Sequence, residues 1–233
     1  MRTIWDCVLL LMAVPEIALG TQSLARPVQP MGLYAPASQG NKTALAQLTT
    51  LANKGNALAQ AYLGYMHIHG DGVPRDAVQA AGWFSRAASQ GNADAQFNLG
   101  AIYYNGDGLQ KDAEQAVNWW RKAADQGIVE AQFNLGVMYH NGDGVSRDFV
   151  QAAAWYRRAA EQGLAVAQAS LGYMYAHGFG VPKDSIKAYM WTNLAAAQGN
   201  QEAMKERHAM ETSLTPAQLS EALRLGGEWK PRR

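Results

Sequence analysis

Residues 59–64 read Ala-Gln-Ala-Tyr-Leu-Gly, and the frame Ala-Gln-x-x-Leu-Gly returns at 95–100, 131–136 and 167–172, each time 36 residues further on. Other landmarks keep the same interval: Gly55, Gly91, Gly127, Gly163 and Gly199; Asp76, Asp112, Asp148 and Asp184; Trp83, Trp119, Trp155 and Trp191. Many independent positions locked to one period mark a chain of stacked repeats, in which each repeat buries its apolar face against its neighbour.

Within one period the residues predict two helices. Over Ala57–His69, Ala59, Leu63 and Met66 fall at spacings of four and three and make one apolar stripe. A Gly-rich turn follows (Gly70-Asp71-Gly72, Gly106-Asp107-Gly108, Gly142-Asp143-Gly144, Gly178-Phe179-Gly180), where glycine permits the positive φ that ends a helix. The second helix starts at the periodic Asp as N-cap, with Gln79, Gln115 or Gln151 three residues on and placed to close a capping box. It runs through Ala80, Trp83 and Ala87 and stops at Gln90-Gly91. Gly64 and its copies mark a close approach of two helices, and the paired alanines (Ala87-Ala88 and equivalents) mark a second. The tryptophans are expected to fill the wider gap between neighbouring repeats, burying roughly 150–250 Å² each. The fold class is all-α, a solenoid of antiparallel helix pairs.

The four repeats span residues 56–199, and the flanks behave as ends. Residues 41–55 form an N-terminal half repeat: Ala52 aligns with Ala88, but Gln47 replaces the tryptophan. Residues 200–233 form C-terminal capping helices. There Arg207 and His208 stand where Leu-Gly would be, making a polar cap. Leu214-Thr215-Pro216-Ala217-Gln218-Leu219 then spells a helix start, with Thr215 as N-cap, Pro216 at N1, Gln218 closing the box, and Leu214 and Leu219 as staple. Trp229 is expected to fold back on the body, and Lys230, Arg232 and Arg233 to form a solvated basic tail.

Residues 1–20 read as a signal peptide, with Arg2 at the start and an apolar stretch from Val8 to Val14, too short for a membrane-spanning helix. Cleavage after Gly20 fits Ala18 and Gly20; Ser23 and Ala25 offer a second site. Residues 21–40, with Pro27, Pro30 and Pro36, read as a flexible leader. Cys7 is the only cysteine, so removal of the signal leaves neither a disulfide nor a thiol. Export places the protein in the periplasm or outside the cell, with no membrane span after cleavage. A formal net charge of +1 gives no electrostatic reason to expect nucleic acid or an acidic membrane surface as partner.

The pattern AQxxLGxxYxxGxGV, followed by a Trp-bearing helix ending in AAxQG, resembles the Sel-1-like repeat, a relative of the tetratricopeptide repeat. The stretch LTPAQLSEALRLGGEW resembles a tail common in bacterial members. His67 in place of the usual Tyr, and Phe179 in the fourth turn, are the departures. The resemblance implies a right-handed α-solenoid and an adaptor or scaffold role in a protein complex, in bacteria often exported and connected with envelope signalling, assembly or host contact. By analogy with tetratricopeptide repeats, the first helices line a concave face. The register then points Tyr65, Phe97, Tyr104, Phe133, His140 and Tyr173 toward a groove for a protein or extended peptide, with Asn98 and Asn134 beside them to hold backbone. The competing reading is that these side chains pack between successive first helices.

Little in the sequence points to chemistry. It holds no phosphate loop, no HExxH and no cysteine pair for zinc, and so implies no cofactor, no metal and no enzyme. His67 and His69 lie two apart and face different ways. Asn141-Gly142-Asp143-Gly144 lacks the ligand spacing and closing Glu of a calcium loop. Capping accounts for all four periodic aspartates together. A β-lactam-binding or hydrolysing enzyme of the cysteine-rich repeat type is the alternative, against which the missing cysteine pairs weigh; an envelope-signalling regulator is the third.

Overall fold

The computed structural model describes residues 32–232, so the expected signal and the leader up to residue 31 lie outside the described residues. Twelve helices occur among the described residues: α1 (Tyr34–Ser38), α2 (Lys42–Asn53), α3 (Ala57–His69), α4 (Ala77–Ser89), α5 (Ala93–Asn105), α6 (Ala113–Asp125), α7 (Val129–Asn141), α8 (Phe149–Glu161), α9 (Ala165–His177), α10 (Ser185–Ala197), α11 (Gln201–Glu211) and α12 (Pro216–Glu228). They form two compact units, 32–131 and 132–232. In each unit, helices that follow one another in the chain pack together as pairs.

The pairing rests on the glycine of the Leu-Gly step. A Cβ on Gly100 would lie 2.6 Å from Trp120 Cδ1 and 2.7 Å from its Nε1, and one on Gly64 would lie 2.8 Å from the Phe84 ring. Gly136 faces Tyr156 in the same way, and Gly172 faces Thr192. The ring that fills the close approach is therefore the residue after the periodic tryptophan. Trp83 and Trp119 do pack against the preceding repeat's core, as expected, but each stays half-exposed. A basic side chain one turn on covers the outer face of three of them: Arg86 over Trp83 at 4.6 Å, Lys122 over Trp119 at 4.0 Å and Arg158 over Trp155 at 4.4 Å.

The helix ends explain the remaining periodic residues. Each periodic Asp caps as expected: Asp76, Asp112 and Asp184 each accept the N–H three residues on at 3.0 Å, and Asp148 accepts from Gln151 at 3.1 Å. The reciprocal bond expected from Gln79, Gln115 and Gln151 is replaced. The N–H of each Asp donates instead to the carbonyl of the preceding first helix, as from Asp112 to Tyr103 at 2.8 Å and from Asp148 to Tyr139 at 2.9 Å. That bond ties the two helices of a pair across the turn, leaving no donor for the Gln. At Gly108 the turn needs both a positive φ of 78° and a missing side chain, because a Cβ would strike the Ala77 carbonyl at the start of the preceding second helix.

The Gln of Ala-Gln has a role that spacing does not show. Gln60, Gln96 and Gln168 are buried and donate to the carbonyls of Ala52, Ala88 and Ala160 at 2.9, 3.2 and 3.2 Å. These carbonyls lie in the last turn of the preceding second helix, where intrahelical partners run out. The same Gln then accepts from the Gln that ends its own repeat: Gln90 to Gln60 and Gln126 to Gln96 at 2.7 Å, Gln162 to Gln132 and Gln198 to Gln168 at 2.8 Å. The first helices have their own caps in Asn56, Asn92 and Asn200, accepting at 2.9, 2.8 and 2.9 Å; Leu164 holds that place before α9 and makes no side-chain bond.

At the front, residues 33–38 do not behave as leader. Ala37 is fully buried, Tyr34 stacks on Tyr62 at 4.7 Å, and Gly72 abuts the Ala37 carbonyl. The five-residue helix thus covers core that the missing first helix of the half repeat leaves open. At the back, the Thr215–Gln218 capping box forms and Trp229 packs edge-on against Trp191 at 5.9 Å, both as expected. Arg232 is not free in solvent: it pairs with Glu161 at 2.8 Å.

Replacing Gly100 by Ala forces the Trp120 ring out of place and is expected to cost about 1–3 kcal/mol. Gly82→Ala, on the exposed face of α4 with nothing within 4 Å, should instead stabilise by about 0.5–1 kcal/mol. Urea denaturation of the two variants checks the contrast.

Candidate functional site

The first-helix positions that differ between repeats carry the candidate site. On α5, Asp94, Asn98, Ala101 and Asn105 lie four, three and four apart and share one helix face. The same face of α7 carries Glu130, Asn134, Val137 and Asn141. On each helix the ends of this face are accessible and its middle is sunk, with Asn98 only 2% and Asn134 only 4% exposed. The side-chain oxygen of Asn98 and the side-chain nitrogen of Asn134 are buried without a hydrogen-bonding partner. An unmade bond of that kind costs about 1–3 kcal/mol. At the head of α5, burial and then the negative charge of Glu130 hold the Asp94 carboxyl above the usual carboxylate range.

The sequence left the six nominated rings open between display in a groove and packing between helices, and their burial decides between the two for five of them. Tyr65, Phe97, Phe133, His140 and Tyr173 are all buried, and only Tyr104 keeps a partly open face. Phe97 sits beside the close approach, its carbonyl accepting from Trp120 Nε1 at 3.1 Å; Tyr104 leans on the same indole at 5.5 Å, with Lys111 over its ring at 5.3 Å. Phe133 packs on Tyr156 at 5.6 Å, and Tyr65 packs on His69 at 4.3 Å and on Tyr34 at 6.1 Å. Packing between neighbouring helices, not display, accounts for these rings.

His140 and Tyr173 do come together, 6.4 Å apart, in an aromatic cluster that the sequence did not single out. Phe149 meets His140 at 5.2 Å and stacks on Phe179 at 5.0 Å, and Phe179 stacks on His177 at 5.6 Å. Phe179, the aromatic that replaces Asp in the fourth turn, was the one signal of this cluster. His140 is 7% exposed, with Nδ1 unpartnered. Burial, and then the Arg147 charge, push its imidazole below the usual value. Burial likewise pushes the Tyr156 hydroxyl up. No group of three or more His, Cys, Asp or Glu side chains lies together among the described residues.

Residues 57–92, 93–128, 129–164 and 165–200 each match the Sel1 repeat family model. The chain belongs to the Sel1 repeat family. A Sel1 repeat protein from Oxalobacter formigenes is similar in structure, with a TM-score of 0.73 and 34% identity over 83% of each chain. A protective antigen of uropathogenic Escherichia coli strains, displaying an SLR fold, is similar at a TM-score of 0.54 and 27% identity, over 98% of this chain and 61% of that one. No curated protein matches the sequence. Sel1 repeat proteins are generally protein-interaction scaffolds, and the α-solenoid of these repeats is the fold of this chain.

His140 gives the Sel1 repeats a pH dependence whose sign follows from its environment. Folding lowers the ring's tendency to protonate, whereas the unfolded chain protonates it near the ordinary histidine value of about 6.5. Its contribution is therefore whole above about pH 6.5 and is lost as pH falls from there through the lowered folded-state value. Urea midpoints measured from about pH 7 down to about pH 5 should fall more steeply for the wild type than for His140→Phe.

Proposed function

We propose that this Sel1 repeat protein is an exported adaptor of the bacterial cell envelope that holds a protein partner, in extended form, on the polar faces of its first helices. The observation that carries the reading is the set of accessible polar side chains at first-helix positions that vary between repeats, Asp94 and Asn105 on α5 and Glu130 and Asn141 on α7. Asn98 and Asn134 occupy a position that holds Tyr62 in the first repeat and Ser170 in the fourth. Neither amide closes a helix or joins the glutamine pairs. Accessible carboxylate and amide side chains of this kind are suited to pairing with the N–H and C=O groups of a bound chain. Tyr104 is the one nominated ring left with an open face for such a partner.

Export rests on Arg2 and the apolar stretch Val8–Val14. That a structural relative is a protective antigen supports the same setting. The family's usual role as a non-catalytic protein-binding scaffold supports binding over turnover here.

The test separates binding from folding. Asn105→Ala with Asn141→Ala trims two accessible side chains at the ends of these faces, so thermal stability should stay within about 0.5 kcal/mol of the wild type. Affinity capture from an envelope fraction should nevertheless lose the partner that the wild type retains. Equal capture by both proteins would show that these faces do not bind.

A further inference from the structure

The first helices α3, α5, α7 and α9 contain no lysine or arginine, and their only formally charged side chains are Asp94 and Glu130. The second helices α4, α6, α8 and α10 carry six basic residues against three acidic ones. Charge is thus divided between the two kinds of helix, with the negative sign on the first. Asp94 and Glu130 hold the same repeat position, second in α5 and second in α7, where the outer repeats have Leu58 and Val166. An acidic side chain near a helix start is favoured by the helix dipole, which accounts for either carboxylate taken alone. It does not account for the two together. The charge of Glu130 adds to burial in holding the Asp94 carboxyl above the usual range, so each carboxylate makes the other harder to ionise.

A third acceptor stands at the same place. Asn98 follows Asp94 by one turn on the same face of α5, and helical side chains lean toward the N-terminus, which aims its amide at the Asp94 turn. Asn98 is 2% exposed, and its Oδ1 has no hydrogen-bonding partner. Two half-buried carboxylates and an unpartnered amide oxygen are all acceptors, and what they call for is a positively charged donor. A guanidinium presents several N–H donors in a fixed fork, matches carboxylate geometry and gives up its water more readily than an ammonium does. A calcium ion takes about six to eight oxygen ligands, more than two carboxylates and one amide supply.

We propose that Asp94, Glu130 and the Asn98 oxygen form a seat for an arginine side chain of the extended partner segment. The seat lies within the unit 32–131, and it rests on the first-helix reading above, to which it adds the chemistry of the partner. Its probe is the peptide acetyl-Gly-Ser-Arg-Ser-Gly-amide, titrated at low salt into isotope-labelled full-length protein and followed by NMR at the Asn98 side-chain amide. Citrulline in place of the arginine keeps the shape and removes the charge, and the arginine peptide should bind about fivefold or more tightly than the citrulline peptide. Asp94→Asn/Glu130→Gln should erase that preference and leave the thermal midpoint at or above that of the wild type, because it removes a repelling pair. Equal binding of the two peptides by the wild type, or a preference for arginine that survives in the double variant, would overturn the proposal. So would a shift of the Asn98 amide on adding calcium chloride that the double variant lacks, since the seat would then hold a metal ion. In the envelope capture, loss of the partner by Asn105→Ala/Asn141→Ala with full retention by Asp94→Asn/Glu130→Gln would remove the arginine seat and leave first-helix binding standing.

Discussion

Where Gly100 meets Trp120 there is no space for a methyl group, and the same is true at Gly64 and Phe84 and at Gly136 and Tyr156. This approach sets how close the two helices of a pair lie, and other interactions depend on that spacing. The Asp N–H reaches back across the turn to the first helix. The Trp120 indole both fills the gap and donates to the Phe97 carbonyl. The glutamine pairs, Gln90 with Gln60 and Gln126 with Gln96, link the two ends of a repeat at hydrogen-bonding distance. A side chain added at the glycine would loosen all of these together.

Much of this was legible because it is either local or periodic. The Asp and Thr215 N-caps, the Gly-x-Gly turns and the glycine of the close approach follow from residue chemistry read in register. What was not legible involves rotation about a helix or reach across it. Trp119 and Trp120 are neighbours about 100° apart on one helix, and the period shows that an aromatic is needed without showing which of the two faces Gly100. The role of Gln96 depends on Ala88 behind it and Gln126 ahead of it, groups 8 and 30 residues away in sequence. For Phe97 and Phe133 the sequence left display and packing both open, and helices packed on several sides bury almost everything in the middle of a first helix. The α1 helix was missed because five residues containing Pro36 carry no periodicity to read.

The division of labour that results is sharp. Residues repeating every 36 positions hold helices to one another, and each has an identifiable bond or packing partner. Among the differences between repeats, the amides at 98 and 134 each leave one buried polar atom without a partner, and the fourth repeat carries Leu194 beside Trp191 where the other three carry a basic residue. Variation of this kind is what a scaffold requires, because the frame tolerates change only where it makes no frame contact.

The central claim is that the 36-residue repeat is the unit of packing, with the glycine–ring approach at its centre. In-frame deletion of residues 93–128 removes one whole repeat and keeps every remaining helix in register. Deletion of residues 93–110 removes one first helix with its turn and leaves two second helices in succession. Far-ultraviolet circular dichroism with thermal unfolding compares them directly. The account predicts wild-type ellipticity per residue and one cooperative transition for the full-repeat deletion, and loss of both for the half-repeat deletion. Equal behaviour of the two deletions, whether both folded or both unfolded, would contradict it.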